Sequence, residues 1–137
     1  MYPSENPVKD FPYREFVGSL MYLRISRPDI HYTLSQLSRV MHAPGSDAIT
    51  SVNRCLRYLK GTRDFCLRFT SEDPKKLRLY AVTDAENCTD VLHRKSPGGH
   101  LIYLGTSSIQ SSSKIQPIVA PASMASEAIQ IYIATRE

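Results

Sequence analysis

The chain changes character at residues 77–82, which read Leu77-Arg78-Leu79-Tyr80-Ala81-Val82. Apolar and polar side chains alternate there, which is typical of a half-buried β-strand, because successive side chains of a strand point to opposite faces. Residues 66–69 alternate in the same way, and the polar segment between the two has turn composition. Two more extended stretches are expected near 100–104 and 107–113, with Gly105 between them as the turn of a hairpin. From Leu77 onward, the pattern predicts three antiparallel strands in the second half of the chain.

Helical spacing dominates the first half of the chain and returns at its end. Apolar residues recur every three to four positions over 11–24, 28–43 and 46–60, so each segment presents one apolar face. A last helix is expected from about 122 to 135, where Ile129 and Ile133 keep helical spacing. The fold class is therefore predicted as α+β, an N-terminal helical segment followed by three antiparallel strands and a helix. The boundary is expected near 70–76.

Composition excludes several classes of protein. Of the 137 residues, 42% are hydrophobic and 22% are charged, which indicates a globular chain rather than a disordered or membrane-spanning one. No apolar run is long enough to cross a membrane, and the first residues do not form a secretory signal. The three cysteines, Cys55, Cys66 and Cys88, lack metal-ligand spacing, so a reducing compartment, cytoplasm or nucleus, is expected.

The positive charge is concentrated in the first half of the chain. Residues 1–76 hold twelve Lys and Arg against eight Asp and Glu, whereas residues 77–137 hold five of each. The densest cluster consists of Arg54, Arg57, Lys60, Arg63 and Arg68. Such a cluster suits a nucleic-acid backbone, because cationic side chains displace the counterions that phosphates condense. A solvated helix face with no partner is the alternative interpretation.

Two acidic residues lie where hydrolytic chemistry could occur. Asp84 comes at the end of the predicted strand that begins at Leu77, and Glu127 lies in the first turns of the terminal helix. If that helix packs across the sheet, both carboxylates could reach one pocket and hold a metal ion. The alternatives are that Asp84 belongs to a turn and that Glu127 stabilises the helix start through the helix dipole.

Several ordered blocks of sequence resemble copia-type LTR retrotransposon polyproteins. The blocks that resemble the segment after the reverse transcriptase lie within residues 11–23, 26–39 and 54–64, and include Phe11-Pro12-Tyr13-Arg14-Glu15-Phe16, Ser26-Arg27-Pro28-Asp29-Ile30 and Arg57-Tyr58-Leu59-Lys60-Gly61-Thr62. A second series resembles the ribonuclease H domain of that family: Thr83-Asp84-Ala85, Arg94-Lys95-Ser96, Ser112-Ser113-Lys114 and Gln116-Pro117. The resemblance extends over about residues 11–134.

The resemblance implies a helical connection segment over residues 1–70 and a partial ribonuclease H-like domain over residues 71–137. A ribonuclease H hydrolyses the RNA strand of an RNA–DNA hybrid with two divalent ions held by carboxylates. Asp84 and Glu127 match the first two of these carboxylates, so the resemblance implies that they are catalytic and bind Mg²⁺. The implied partner is an RNA–DNA hybrid or another nucleic acid, with no membrane and no evident small-molecule substrate.

Departures from the family pattern predict that this chain is catalytically inactive. The family has Asp-Ala-Asp-Trp where this chain has Asp84-Ala85-Glu86-Asn87, and a further tryptophan where it has Gln110. The first Glu of the family helix is Ala125, and the later catalytic acids of the family would lie beyond Glu137. Loss of buried tryptophans predicts a less stable domain. The alternatives are a non-catalytic module that binds nucleic acid through the basic cluster, and an enzyme completed by acids from another chain.

Overall fold

The computed structural model describes residues 2–71, 73–75, 77–86 and 94–137. The chain divides into two compact units, Met1–Cys66 and Leu67–Glu137. The first contains helices and the second contains a sheet with one helix, so the predicted α+β class is confirmed. Within the described ranges, no helix is long and apolar enough to span a membrane.

The first unit contains three α-helices: α1 spans Tyr13–Tyr22, α2 spans His31–Ser38 and α3 spans Ser46–Gly61. Short 3₁₀ turns, Leu23–Ile25 and Pro28–Ile30, connect α1 to α2. Helix α3 begins after the extended Gly45, with Asp47 in its first turn, where a negative charge favours the helix dipole. The three predicted helical segments are thus present, with α-helical parts shorter than predicted in the first two.

One apolar core joins the three helices of the first unit. Its fully buried members include Val17 on α1, Leu34 and Leu37 on α2, and Val52 on α3. The hydroxyl of Tyr13 donates a hydrogen bond to the carbonyl of Leu37 at 3.0 Å, and burial raises the pKa of Tyr13 to about 12. Each fully buried aliphatic side chain contributes about 1.5–3 kcal/mol, so this core is the main source of stability in the unit.

The helix predicted over residues 28–43 ends earlier than expected. Beyond α2 the backbone continues in i to i+3 turns, in which the Arg39 N–H donates to the Gln36 carbonyl and the Val40 N–H to the Leu37 carbonyl. Pro44 has no N–H, and a residue before proline avoids the α conformation. The α-helix ends at Ser38, and the tighter turns lead the chain to Pro44, which prevents a helix from continuing unbroken into α3.

The second unit contains a three-stranded antiparallel sheet in the order β1-β2-β3. Strand β1 spans Leu79–Ala85, β2 spans Pro97–Leu104 and β3 spans Ser107–Ile115. Gly105 has a φ of 61°, which glycine adopts without steric cost, so the predicted hairpin turn is confirmed. A bulge shifts the register between β2 and β3 at Ile102 and Tyr103.

The prediction of an extended strand at residues 66–69 is wrong. Among the described residues, neither edge of the sheet pairs with this segment, and Phe69 is largely exposed. The backbone N–H of the following Thr70 donates instead to the Ser107 hydroxyl at 3.2 Å. Alternation of polarity describes which side chains could be buried, but a strand also requires a neighbour with which to pair.

The terminal helix, α4, spans Ser123–Ala134 and packs on β1 and β2. Its buried residues are Ser126, Gln130 and Ala134, which recur every four positions and form its inner face. A Cβ atom at Gly98 of β2 would collide with the side chain of Gln130, so glycine permits the close approach of helix and sheet here.

Candidate functional site

The register of the sheet determines the direction in which Asp84 points. Asp84 is exposed on β1 and is paired with Gly99 of β2. Residues paired across an antiparallel ladder share one face, and their neighbours along each strand lie on the other face. The neighbours of Gly99 are Gly98 and His100, which both approach Gln130 of α4. The side chain of Asp84 is therefore directed away from the face that α4 covers.

Glu127 lies on α4 itself, next to the buried Ser126, and is exposed. The two predicted acids thus belong to different sides of the second unit, and the structure does not bring them together. Among the described residues, which omit 87–93, no three His, Cys, Asp or Glu side chains are grouped so that they could hold a metal ion. Mg²⁺ requires several well-placed anionic oxygens, so the described residues do not fit the implied pair of ions.

The polar contacts between α4 and the sheet were not predicted from the sequence. Gln130 donates from Nε2 to Nδ1 of His100 at 3.2 Å, and Gln116 donates to the Ser126 carbonyl at 2.7 Å. His100 Nε2 and Gln116 Oε1 are buried without a partner among the described atoms. Desolvation lowers the pKa of His100, so burial favours the neutral form of this imidazole. The signal in the sequence was the i to i+4 pair of Ser126 and Gln130, two polar residues that share one face of the terminal helix.

Asn87 and Gln110 stand at the two positions where the family has tryptophan, and of these only Gln110 lies among the described residues. Its side chain is half-buried on β3, and its amide nitrogen donates to Glu137 at 2.9 Å. A polar residue at this position is therefore satisfied by a polar partner. Asn87 lies outside the described residues.

Three of the predicted basic residues form a row on α3, here called the α3 basic row: Arg54, Arg57 and Lys60. They follow one another at three-residue spacing and are exposed, whereas the opposite side of α3 buries Ala48, Val52 and Cys55. Arg63 is exposed in the turn that follows the helix. Arg68 is exposed in the second unit, so the first unit alone brings four of the five predicted cations together.

None of these five basic side chains has a hydrogen bond or an ion pair within the described part of the chain. The ion pair found there joins Arg27 to Asp29, outside the α3 basic row. A free guanidinium or ammonium group on the surface can bind an external anion without first breaking an internal contact.

Arg27 organises a network beside the C-terminal end of α3. Its guanidinium donates to both carboxylate oxygens of Asp29, at 3.0 and 2.7 Å, and to the carbonyl and hydroxyl of Thr62. The Tyr58 hydroxyl donates to Asp29 at 2.8 Å, and Arg27 lies 5.7 Å from the ring centroids of Tyr58 and Phe65. Arg27 lowers the pKa of Asp29 by its hydrogen bonds. The network fixes the turn before α2 to the end of α3.

A cleft of about 660 Å³ opens beside this network, between α2 and α3. Its lining includes Asp29, Tyr32, Gln36, Arg54, Cys55 and Tyr58. Burial raises the pKa of the Cys55 thiol, which keeps it protonated and weakly nucleophilic. The cleft is therefore lined by polar and aromatic side chains, and its cysteine is not an activated nucleophile.

Comparison with known proteins finds retrovirus-related Pol polyproteins of transposons among the relatives of this chain. A retrovirus-related Pol polyprotein from transposon TNT 1-94 of Nicotiana tabacum is 39% identical over 127 residues, which are 92% of this chain. A retrovirus-related Pol polyprotein from transposon RE2 of Arabidopsis thaliana is 39% identical over 115 residues, 84% of this chain. Over most of its length the chain is therefore homologous to copia-type retrotransposon Pol polyproteins.

The chain covers only a small part of these Pol relatives. It spans 9% of the length of the TNT 1-94 polyprotein and 8% of the RE2 polyprotein. A shorter relative, Secreted RxLR effector protein 161 of Plasmopara viticola, is 34% identical over 131 residues, 95% of this chain and 91% of that protein. No family model and no solved structure matches the chain.

Proposed function

We propose that this Pol-related chain binds the phosphate backbone of nucleic acid through the α3 basic row and does not cleave RNA–DNA hybrids on its own. We also propose that residues 1–70 derive from the connection segment after the reverse transcriptase, and that residues 71–137 derive from ribonuclease H. Three antiparallel strands followed by a helix, with Asp84 on the first strand and Glu127 on the helix, support the second origin.

The single observation that carries the binding function is the α3 basic row. Arg54, Arg57 and Lys60 recur at three-residue spacing on the exposed side of one helix, and none is neutralised by a described acid. Arg63 extends the charge past the end of the helix. A row of this length matches the periodic charge of a nucleic-acid strand better than an isolated cation would.

The direction of Asp84 supports the absence of cleavage. Two-ion hydrolysis requires carboxylates that share both ions, so that one oxygen nucleophile and one leaving oxygen are stabilised together. The register directs Asp84 away from α4, whereas Glu127 belongs to α4. In addition, Ala125 stands two positions before Glu127, where the family helix has its first Glu. Among the residues that the structure describes, no set of carboxylates is therefore placed to hold the Mg²⁺ ions that the family resemblance implies.

Replacing Arg57 and Lys60 together with alanine is expected to weaken binding to a fluorescein-labelled RNA–DNA hybrid of 20 base pairs by about tenfold near 100 mM salt. The plot of log binding constant against log salt should also become shallower by about two, because about two phosphate contacts are lost. Fluorescence anisotropy over a series of salt concentrations measures both quantities.

The matched control removes the same charge from exposed positions elsewhere, by Lys9→Ala with Lys75→Ala. If the α3 basic row is the binding surface, the affinity of this control and the slope of its salt plot should both stay within about twofold of the values for the unmodified chain. An equal loss in both double variants would show that net charge alone causes binding, and would overturn the proposed function.

A further inference from the structure

We propose that the cleft between α2 and α3 holds an unpaired base of a single-stranded nucleic acid. The base would stack on the tyrosines that line the cleft, Tyr32 and Tyr58, and the adjoining phosphate would lie at Arg54. This inference rests on the proposed binding function and specifies the form of nucleic acid that the first unit prefers.

The size and the composition of the cleft suit a nucleotide. Ligand sites usually enclose about 300–1,000 Å³, and this cleft encloses about 660 Å³. Two tyrosines line it, Tyr32 from α2 at 53% exposure and Tyr58 from α3 at 42% exposure. Exposed aromatic rings are the usual platforms for unpaired bases, because every base has a flat face that can stack.

The network around Arg27 holds one wall of the cleft in place before any ligand arrives. Tyr58 is fixed by the hydrogen bond from its hydroxyl to Asp29 and by Arg27 beside its ring. A ring that is already oriented loses little conformational freedom when a base stacks on it.

The charge of the cleft is positive although Asp29 lines it. Both carboxylate oxygens of Asp29 accept hydrogen bonds from Arg27, which neutralises their charge. Arg54 also lines the cleft, is exposed and has no described partner. A phosphate at the mouth of the cleft therefore meets an unpaired guanidinium and a carboxylate that is already compensated.

The position of Arg54 connects the cleft to the α3 basic row. Arg54 lies one turn before Tyr58 on α3, so the two side chains are neighbours on the helix surface, and it is also the first member of the row. A nucleic-acid strand whose phosphates follow the α3 basic row would therefore place one of its bases at the cleft. A paired base cannot enter, because its flat faces are already stacked within the duplex.

The test measures binding of the full chain to fluorescein-labelled (dT)₁₂ and to an abasic oligonucleotide of the same length, by fluorescence anisotropy. Tyr32→Leu should weaken binding to (dT)₁₂ by about tenfold, whereas Tyr32→Phe should keep it within about twofold because the aromatic ring remains. The abasic strand should bind the unmodified chain about tenfold more weakly than (dT)₁₂, and Tyr32→Leu should not weaken it further.

The matched control is Tyr22→Leu, since Tyr22 is 79% exposed on α1 and does not line the cleft. Equal effects of Tyr32→Leu and Tyr22→Leu, or equal binding of (dT)₁₂ and the abasic strand, would overturn this inference. If Arg57→Ala with Lys60→Ala still weakens binding to both strands in that case, the proposed function stands and only the base pocket fails. If that double variant has no effect either, the proposed function fails as well.

Discussion

Replacing Leu37 with alanine is expected to lower the free energy of unfolding of the first unit by about 2–5 kcal/mol. Leu37 has 0% exposure in the core shared by the three helices of this unit. Truncation to alanine removes buried methyl groups and leaves a cavity that the surrounding helices fill only in part. Since single domains are typically stable by about 5–15 kcal/mol, this change removes a large share of the total.

Urea unfolding monitored by circular dichroism at 222 nm measures this loss, because the first unit holds most of the helix of the chain. The matched control is Leu23→Ala, the same change at a leucine that is 37% exposed in the 3₁₀ turn after α1. The control should lose less than about 1 kcal/mol. Equal losses in both variants would show that the first unit has no packed core around Leu37.

Replacing Asp29 with alanine is expected to cost about 2–3 kcal/mol at pH 7. The change leaves the guanidinium of Arg27, a residue with 9% exposure, without its carboxylate, and removes the acceptor of the Tyr58 hydroxyl. The side chain of Asp29 is 30% exposed, so water replaces part of the lost interaction and the cost stays below that of a fully buried pair.

The sign of the pH dependence follows from the lowered pKa of Asp29. Arg27 favours the ionised form, so the folded chain binds a proton at Asp29 less readily than the unfolded chain does. The stabilisation is complete well above the ordinary value of 3.8 and is lost as the pH falls through that value towards the lowered pKa of the folded chain. The difference in urea midpoint between the unmodified chain and Asp29→Ala should therefore shrink between pH 5 and pH 3.

An exposed aspartate in the N-terminal segment, Asp10, provides the control for this prediction. Asp10→Ala should change the urea midpoint little at any pH in this range. A cost of Asp29→Ala that is no larger than that of Asp10→Ala would show that the Arg27 network does not stabilise the first unit.

Hydrophobic periodicity predicted the helices and strands well where one face of the element is buried and the other is exposed to solvent. Helix α3 was predicted as 46–60 and spans Ser46–Gly61, because its apolar and charged faces are clearly separated. Residues 66–69 show equally regular alternation and are not a strand, because pairing depends on a neighbour that a local pattern does not contain. Local sequence therefore predicts which face of an element can be buried better than it predicts its partner.

The candidate site was predicted only in part, again because a local sequence pattern does not contain the pairing between elements. The sequence places Asp84 on β1 and Glu127 on α4, and the structure has both residues in those elements. Whether Asp84 faces the helix depends on the pairing register, since a shift of one residue moves every side chain to the other face. The Arg27 network was not predicted because Arg27 and Thr62 are far apart in sequence, and their contact follows from the packing of α3 against the turn before α2.

The claim that this chain binds RNA–DNA hybrids without cleaving them is tested by incubating the purified chain with a hybrid labelled on its RNA strand, in Mg²⁺ and separately in Mn²⁺. Anisotropy on the same samples reports binding, and a denaturing gel reports the length of the RNA. We expect the hybrid to be bound while its RNA strand stays intact, both with the unmodified chain and with Asp84→Asn. RNA cleavage by the unmodified chain that is absent in Asp84→Asn would contradict the claim, because Asp84 would then belong to a working metal site.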